Sequence, residues 1–83
     1  MIYALKLEQN IIHYYYLAYY LAYEMENGRK IIDFLNKGYI ENHPNFVPIL
    51  FSTKLIARLV KQRYNNSLQY EGIYNIVLWK DVQ

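Results

Sequence analysis

Hydrophobic residues in the first third of the chain follow two periodicities at once. Leu17 and Leu21 are four residues apart, as on one face of a helix, whereas apolar residues from position 15 to position 25 also alternate, as in a strand. The segment 8–25 is longer than most strands, so we expect a tyrosine-rich helix there. Residues 1–7 alternate as a short strand or begin this helix early.

Two more helices are expected in the centre of the chain. Residues 29–38 have the apolar stripe of a short amphipathic helix and end in glycine, a common helix C-cap. Two prolines then make the stretch 41–48 irregular or extended. Ser52 or Thr53 follows as an N-cap, which predicts a helix running to about Tyr64.

The helix that begins after this cap carries an apolar stripe of Ile56, Leu59 and Val60. We expect the stripe to be buried, with Ala57 allowing a neighbouring element to approach closely. A short polar turn and a second apolar-periodic segment come next, and this order of elements is the layout of a helix-turn-helix.

The second segment decides between two architectures. Ile73, Ile76 and Val77 are spaced i, i+3, i+4, as on one helix face, and this spacing predicts a mainly α fold. The same stretch is rich in β-branched and aromatic residues, so the alternative is an α+β fold in which 73–79 is a strand paired with 2–7. In the alternative, the chain is a protein-interaction module or an inhibitor that binds another protein.

The length of 83 residues predicts a single domain. In the mainly α prediction, residues 1–27 form a tyrosine-rich N-terminal segment, and residues 29–79 form a helical domain with the helix-turn-helix at 53–79. The tyrosines between positions 14 and 23 exceed what one small core can bury, and tyrosine is enriched at protein interfaces. We therefore expect a homodimer through this segment.

Composition excludes several classes of function. The chain has no cysteine, which removes disulfide frameworks, thiolate zinc sites and cysteine nucleophiles. His13 and His43 have no partner at metal-ligand spacing, so we expect no enzyme, no metal and no cofactor. The longest charge-free run, 9–23, is shorter than the roughly 20 residues that span a bilayer. We expect no membrane association and an intracellular, cytoplasmic location (the host cytoplasm if the protein is viral).

Basic residues are concentrated in the segment 53–64, which has no acidic residue and suits a phosphate-facing surface. Residues 52–79 resemble the helix-turn-helix of transposases and of small archaeal and viral transcription regulators. The matching residues are Ile56-Ala57 in the first helix, Lys61-Gln62-Arg63-Tyr64 at its end, Ser67-Leu68 in the turn and Ile73-Tyr74 in the second helix. The turn differs, since it holds Asn65-Asn66 where these proteins usually have glycine.

The resemblance implies a non-catalytic protein that binds double-stranded DNA, either a transcription regulator or a DNA-binding factor of a virus or mobile element. Hydroxyls and free amides at the start of the first helix suit phosphate, and its cations add sequence-independent attraction. Amide side chains on the second helix can bind adenine. The expected DNA-binding residues are Ser52, Thr53, Lys54, Arg58, Lys61, Arg63, Gln69, Tyr70 and Asn75.

Overall fold

A six-stranded antiparallel sheet forms the centre of the protein. A computed structural model describes residues 1–10, 13–20, 32–66 and 71–82. The strands are β1 (Tyr3–Asn10), β2 (His13–Tyr20), β3 (Ile32–Leu35), β4 (Phe46–Pro48), β5 (Leu50–Phe51) and β6 (Ile73–Leu78). The helices are α1 (Lys37–Asn42), α2 (Lys54–Asn65) and a short 3₁₀ helix at Trp79–Asp81.

Strands β1 and β2 occupy the middle of the sheet. Residues 6–10 of β1 pair with residues 13–16 of β2, and residues 3–8 of β1 pair on the other side with the whole of β6. The far side of β2 pairs with β3. Strand β2 is apolar on both faces, whereas β1 is apolar on the face of Leu5 and Leu7 and carries Lys6 and Glu8 on the other.

Residues 46–51 enter the sheet where β1 and β2 separate. β4 pairs with the end of β2, and β5 pairs with the start of β1. The chain changes partner at Ile49, whose backbone N–H donates to the carbonyl oxygen of Leu17 at 2.9 Å. Because hydrogen-bonded pairs alternate along an antiparallel ladder, Pro48 lies opposite Ala18 in a pair that needs no N–H.

Two apolar clusters lie on opposite faces of the sheet. Helix α2 covers the larger cluster, and α1 together with the C-terminal 3₁₀ helix covers the smaller one. The larger cluster consists of Leu5, Leu7, Leu17, Phe34, Phe51, Ala57 and Tyr74. The smaller cluster consists of Tyr16, Ala18, Ile40 and Val82. The sheet therefore lies between the two halves of the core and contributes side chains to both.

The prediction of a mainly α fold with a helix-turn-helix is wrong. The tyrosine-rich stretch is a strand over His13–Tyr20, and the proposed second helix is a strand over Ile73–Leu78. The alternative strand pairing is confirmed, since Tyr3 to Glu8 pair with Ile73 to Leu78. Cross-strand pairing overrides the helical spacing because β6 is held along its length by β1.

The middle of the chain also departs from prediction. Part of the predicted helix 29–38 is strand β3, and the helix α1 begins only at Lys37 after the cap residue Asn36. The helix expected after Ser52 or Thr53 is confirmed as α2, with Thr53 as its N-cap. Residues 67–70, which include the predicted turn residues Ser67 and Leu68, lie outside the described residues.

Candidate functional site

Helix α2 contacts the sheet through one narrow stripe of its surface. Ala57 is fully buried, and Val60 and Tyr64 pack against the larger cluster. The Tyr64 ring lies edge-on to the Phe34 ring, with 5.1 Å between their centroids. The small Ala57 side chain lets the helix lie close to the strands, so the remaining surface of α2 faces outward.

The outward surface of α2 carries three large aliphatic side chains in a row. Leu55, Ile56 and Leu59 are 66%, 48% and 59% exposed. We call these three residues the apolar ridge. The prediction that Ile56 and Leu59 are buried is wrong, because the helix is rotated to place Ala57 against the sheet. The spacing of Ala57, Val60 and Tyr64 at i, i+3 and i+7 also fits one helix face, so the sequence is equally compatible with the observed rotation.

A line of cations borders the ridge on one side. Lys54, Arg58 and Lys61 are spaced i, i+4 and i+7, which places them on one flank of the helix. We call these residues the basic stripe. The Lys54 ammonium lies 5.8 Å from the centroid of the Tyr3 ring, a cation–π contact that directs it over β1. Helix α2 contains no acidic residue, so no charge within the helix neutralises the stripe.

An apolar groove borders the ridge on the other side. It has a volume of about 480 Å³ and lies between α2, the strands β2 and β3, and the segment leading to α2. Its lining residues are Leu17, Ile32, Ile49, Phe51, Val60, Arg63 and Tyr64. Arg63 supplies the positive charge at this groove, on the flank of α2 opposite the basic stripe. Cations therefore lie on both flanks of the apolar ridge.

The predicted DNA-binding residues divide into three groups. Ser52, Thr53, Lys54, Arg58, Lys61 and Arg63 are brought together on α2 and its N-terminus. The Thr53 side chain is already engaged, since its Oγ1 accepts the backbone N–H of Ile56 at 3.4 Å. Asn75 is not on a recognition helix; it lies on β6, and its Nδ2 donates to Oε1 of Glu8 at 3.4 Å. Gln69 and Tyr70 lie outside the described residues.

A small polar cluster occupies the opposite face of the sheet, away from α2. Lys6 Nζ lies 3.1 Å from Oε1 of Glu8 and 4.1 Å from the centroid of the Tyr14 ring. Asn75 joins the same carboxylate. These groups satisfy one another, so the cluster stabilises neighbouring strands and leaves the exposed surface of α2 as the better candidate site.

Burial changes the acidity of three tyrosines on the two faces of the sheet. Desolvation by burial raises the pKa of Tyr16, Tyr64 and Tyr74 above the ordinary value of 10.0. Arg63 acts in the opposite direction on the pKa of Tyr64, and Lys6 does so on the pKa of Tyr16. The three phenols therefore stay neutral near pH 7 and act as packing groups.

The described part of the tyrosine-rich segment belongs to the sheet, as strands β1 and β2. Within the described residues 13–20, Tyr16 is buried in the smaller cluster, and the Tyr20 ring lies 4.8 Å from that of Phe46. The homodimer through this segment stays a prediction. Among the residues that the structure describes, no group of three His, Asp or Glu side chains could hold a metal ion.

None of the helices in the described part of the chain is long and apolar enough to cross a membrane. Comparison of the chain with protein-family models, curated proteins and solved structures finds no match.

Proposed function

We propose that this chain is a small, non-catalytic α+β module that binds a protein partner through the outward surface of α2. The observation that carries the proposal is the apolar ridge of Leu55, Ile56 and Leu59, exposed side by side on one helix. Single exposed apolar residues are common on protein surfaces, whereas contiguous ones mark interaction sites. A partner covering this ridge would remove three large aliphatic side chains from water.

The charges around the ridge define the chemistry of the partner. Lys54 and Arg58 on one flank and Arg63 on the other are exposed, and no acidic side chain of α2 opposes them. A complementary surface has apolar residues at its centre and carboxylates at its rim. We therefore propose a partner that presents an acidic amphipathic surface, for which a helix with leucine and glutamate on one face is a simple model.

Duplex-DNA binding remains a second proposal, because four cations and no acid lie on α2. The segment that was expected to read bases as a helix is the strand β6. The remaining contact with DNA would therefore be electrostatic and independent of the base sequence. Docking α2 on phosphates would also place Leu55 and Leu59 against a charged backbone, which favours the protein partner.

The test is a selection from a displayed library of helical peptides on the purified protein. We expect enriched peptides to combine large apolar residues with Asp or Glu. The matched control is the double variant Leu55→Ser, Leu59→Ser, which keeps all cations and should fold normally because both side chains are exposed. Enriched peptides should lose at least about tenfold in affinity for this variant, the equivalent of roughly 1.4 kcal/mol.

Two outcomes would count against the protein-partner proposal. One is a set of selected peptides that binds the double variant as tightly as the unchanged chain. The other is duplex DNA that binds the unchanged chain and the double variant equally, with a steep loss of affinity as salt rises. The second outcome would favour the nucleic-acid proposal, since it would depend on the cations alone.

A further inference from the structure

Strand β6 lacks proline, charged residues and a bulge, three features that normally block strand addition. No other strand among the residues that the structure describes pairs with the outer edge of this strand. The strand Ile73–Leu78 contains no proline and no charged residue, and its pairing with β1 runs without a bulge. Long, apolar edge strands without such protection are templates for pairing with another chain.

The backbone directions along β6 follow from one hydrogen bond. The N–H of Trp79 donates to the carbonyl oxygen of Ile2 at 2.9 Å, so Trp79 points its backbone groups toward β1. Because these directions alternate along a strand, Val77 also points toward β1, whereas Ile76 and Leu78 point away from it. The backbone N–H and C=O groups of Ile76 and Leu78 therefore face the outer edge.

The basic stripe lies on the flank of α2 opposite the groove. Helix α2 rests on β5, β1 and β6, and its groove flank, which carries Arg63, faces β3. Successive residues of an α-helix are about 100° apart, so Lys54, Arg58 and Lys61 lie on the flank opposite Arg63, and we infer that this flank faces β6. Lys54 lies over the ring of Tyr3, which pairs with Leu78 of β6, and the Ile76 side chain packs on the same face of the sheet, against the larger cluster.

We propose that the edge of β6 binds an extended, acidic segment of another protein as an added antiparallel strand. Residues of the segment that face Ile76 and Leu78 would exchange backbone hydrogen bonds with them and point their side chains to the α2 face. Carboxylates at those positions lie beside Arg58 and Lys61. The intervening residues of the segment would lie on the opposite face, beside Val77. Because Val77 packs against the smaller apolar cluster, we expect these residues to be apolar.

A second copy of this chain fits the edge less well. Pairing β6 with its own copy would place two basic stripes side by side across the symmetry axis. Like charges in such a position oppose association, whereas an acidic segment neutralises the stripe. This inference adds an acidic strand to the proposed function without using the apolar ridge, so substitutions at Leu55 and Leu59 do not test it.

The experiment uses ten-residue peptides that alternate valine with a charged residue. We expect the valine–glutamate peptide to bind at low salt and the valine–lysine peptide to bind at least about tenfold more weakly. Fluorescence of Trp79 reports binding, because it is the one tryptophan of the chain and follows β6 directly. Sedimentation of the free protein reports pairing between copies.

Methylated peptides test the backbone arrangement. In antiparallel pairing, the residues that donate to β6 are those whose side chains face α2, which are the glutamates. N-methylation of the glutamate amides should abolish binding. N-methylation of the valine amides should leave the affinity within about threefold of that of the unmethylated peptide, a smaller change than the loss of one hydrogen bond. Equal binding of the two methylated peptides, or a larger loss from valine methylation, would overturn the proposal.

Variants of the protein test each half of the site. Ile76→Pro removes an outward N–H and should lower the affinity for the glutamate peptide by about tenfold. Ile76→Ala keeps this N–H, so its affinity should stay within about threefold of that of the unchanged chain. Circular dichroism checks that both variants keep the fold, and only folded variants are compared. Equal affinities of the two folded variants would overturn the backbone role.

Arg58→Glu and Arg63→Glu provide a matched pair for the charge role, because both side chains are exposed and both substitutions change net charge equally. Arg58→Glu should lower the affinity for the glutamate peptide by about fivefold. Arg63→Glu should leave this affinity unchanged, because Arg63 lies on the groove flank and Arg58 on the β6 flank. Equal effects of the two substitutions would overturn the placement of the acids. A free protein that sediments as a dimer, and becomes monomeric with Ile76→Pro, would overturn the acidic segment in favour of a second copy.

Discussion

The backbone of Gly72 lies directly against the carbonyl group of Glu8. A Cβ on residue 72 would be 2.6 Å from the Glu8 oxygen, and the φ angle of Gly72 is +151°. This glycine begins the approach to β6 and brings the strand alongside β1. The close contact makes the entry to β6 dependent on one residue.

Gly72→Ala should lower the free energy of unfolding by about 2 kcal/mol, because it combines a backbone clash with a φ that other residues rarely adopt. Urea unfolding measures the loss. Gly38→Ala is the matched control, since a Cβ there has its nearest contact at an ordinary 3.6 Å and the residue lies in helix α1. That substitution should raise the unfolding free energy by roughly 0.5 kcal/mol. Equal effects at the two glycines would contradict the described approach of β6 to β1.

Thr53→Ala should lower the free energy of unfolding by about 1 kcal/mol, because the Thr53 hydroxyl accepts the N–H of Ile56 at the start of α2. The neighbouring Ser52→Ala removes the same hydroxyl group from an exposed residue outside the cap position and should change stability by less than about 0.5 kcal/mol. Thermal unfolding of the two variants side by side gives the comparison. A larger effect at Ser52 would mean that the cap is misassigned.

Ala57→Leu should lower the free energy of unfolding by about 1–3 kcal/mol, because Ala57 is fully buried between α2 and the sheet and has no room for a larger side chain. Gln62→Leu places the same side chain on the exposed surface of the same helix and should be nearly neutral. Chemical unfolding of both variants tests the rotation of α2. If Gln62→Leu were the more damaging change, the buried stripe would lie elsewhere on the helix.

Stability should fall at alkaline pH because burial raises the pKa of Tyr16, Tyr64 and Tyr74 above 10.0. The unfolded chain loses these protons at the ordinary pKa, while the folded chain still holds them, so rising pH favours unfolding. The full contribution is present below about pH 10 and is lost as pH rises through the raised values. Urea unfolding at about pH 8 and at about pH 11 measures the difference.

Tyr74→Phe tests the contribution of one of these tyrosines, because the variant keeps the buried ring and removes the ionisable hydroxyl. Its stability should decline less between the two pH values than that of the unchanged chain. An identical decline would show that Tyr74 does not contribute to the alkaline loss.

Helix α2 could be predicted from the sequence because its signals are local. Thr53 caps it, and the residues up to Asn65 contain neither glycine nor proline. The cations at Lys54, Arg58, Lys61 and Arg63 could likewise be placed on one helix. The apolar ridge could not be foreseen, because local periodicity fits two rotations of the helix and only packing against the sheet selects the one that buries Ala57.

The sequence by itself determined α2 and the positive charge of its surface. It also gave the pairing of residues 73–79 with residues 2–7, but only as one of two alternatives. Only the tertiary structure decided that residues 13–20 of the tyrosine-rich segment form a strand, because β2 lies inside the sheet, has apolar side chains on both faces and so has no polar face to reveal its period. It also decided that Ile73–Leu78 is a strand, through hydrogen bonds to β1 from residues far away along the chain. Pairing between distant segments leaves no local pattern, and for that reason the edge of β6 emerges only from the folded chain.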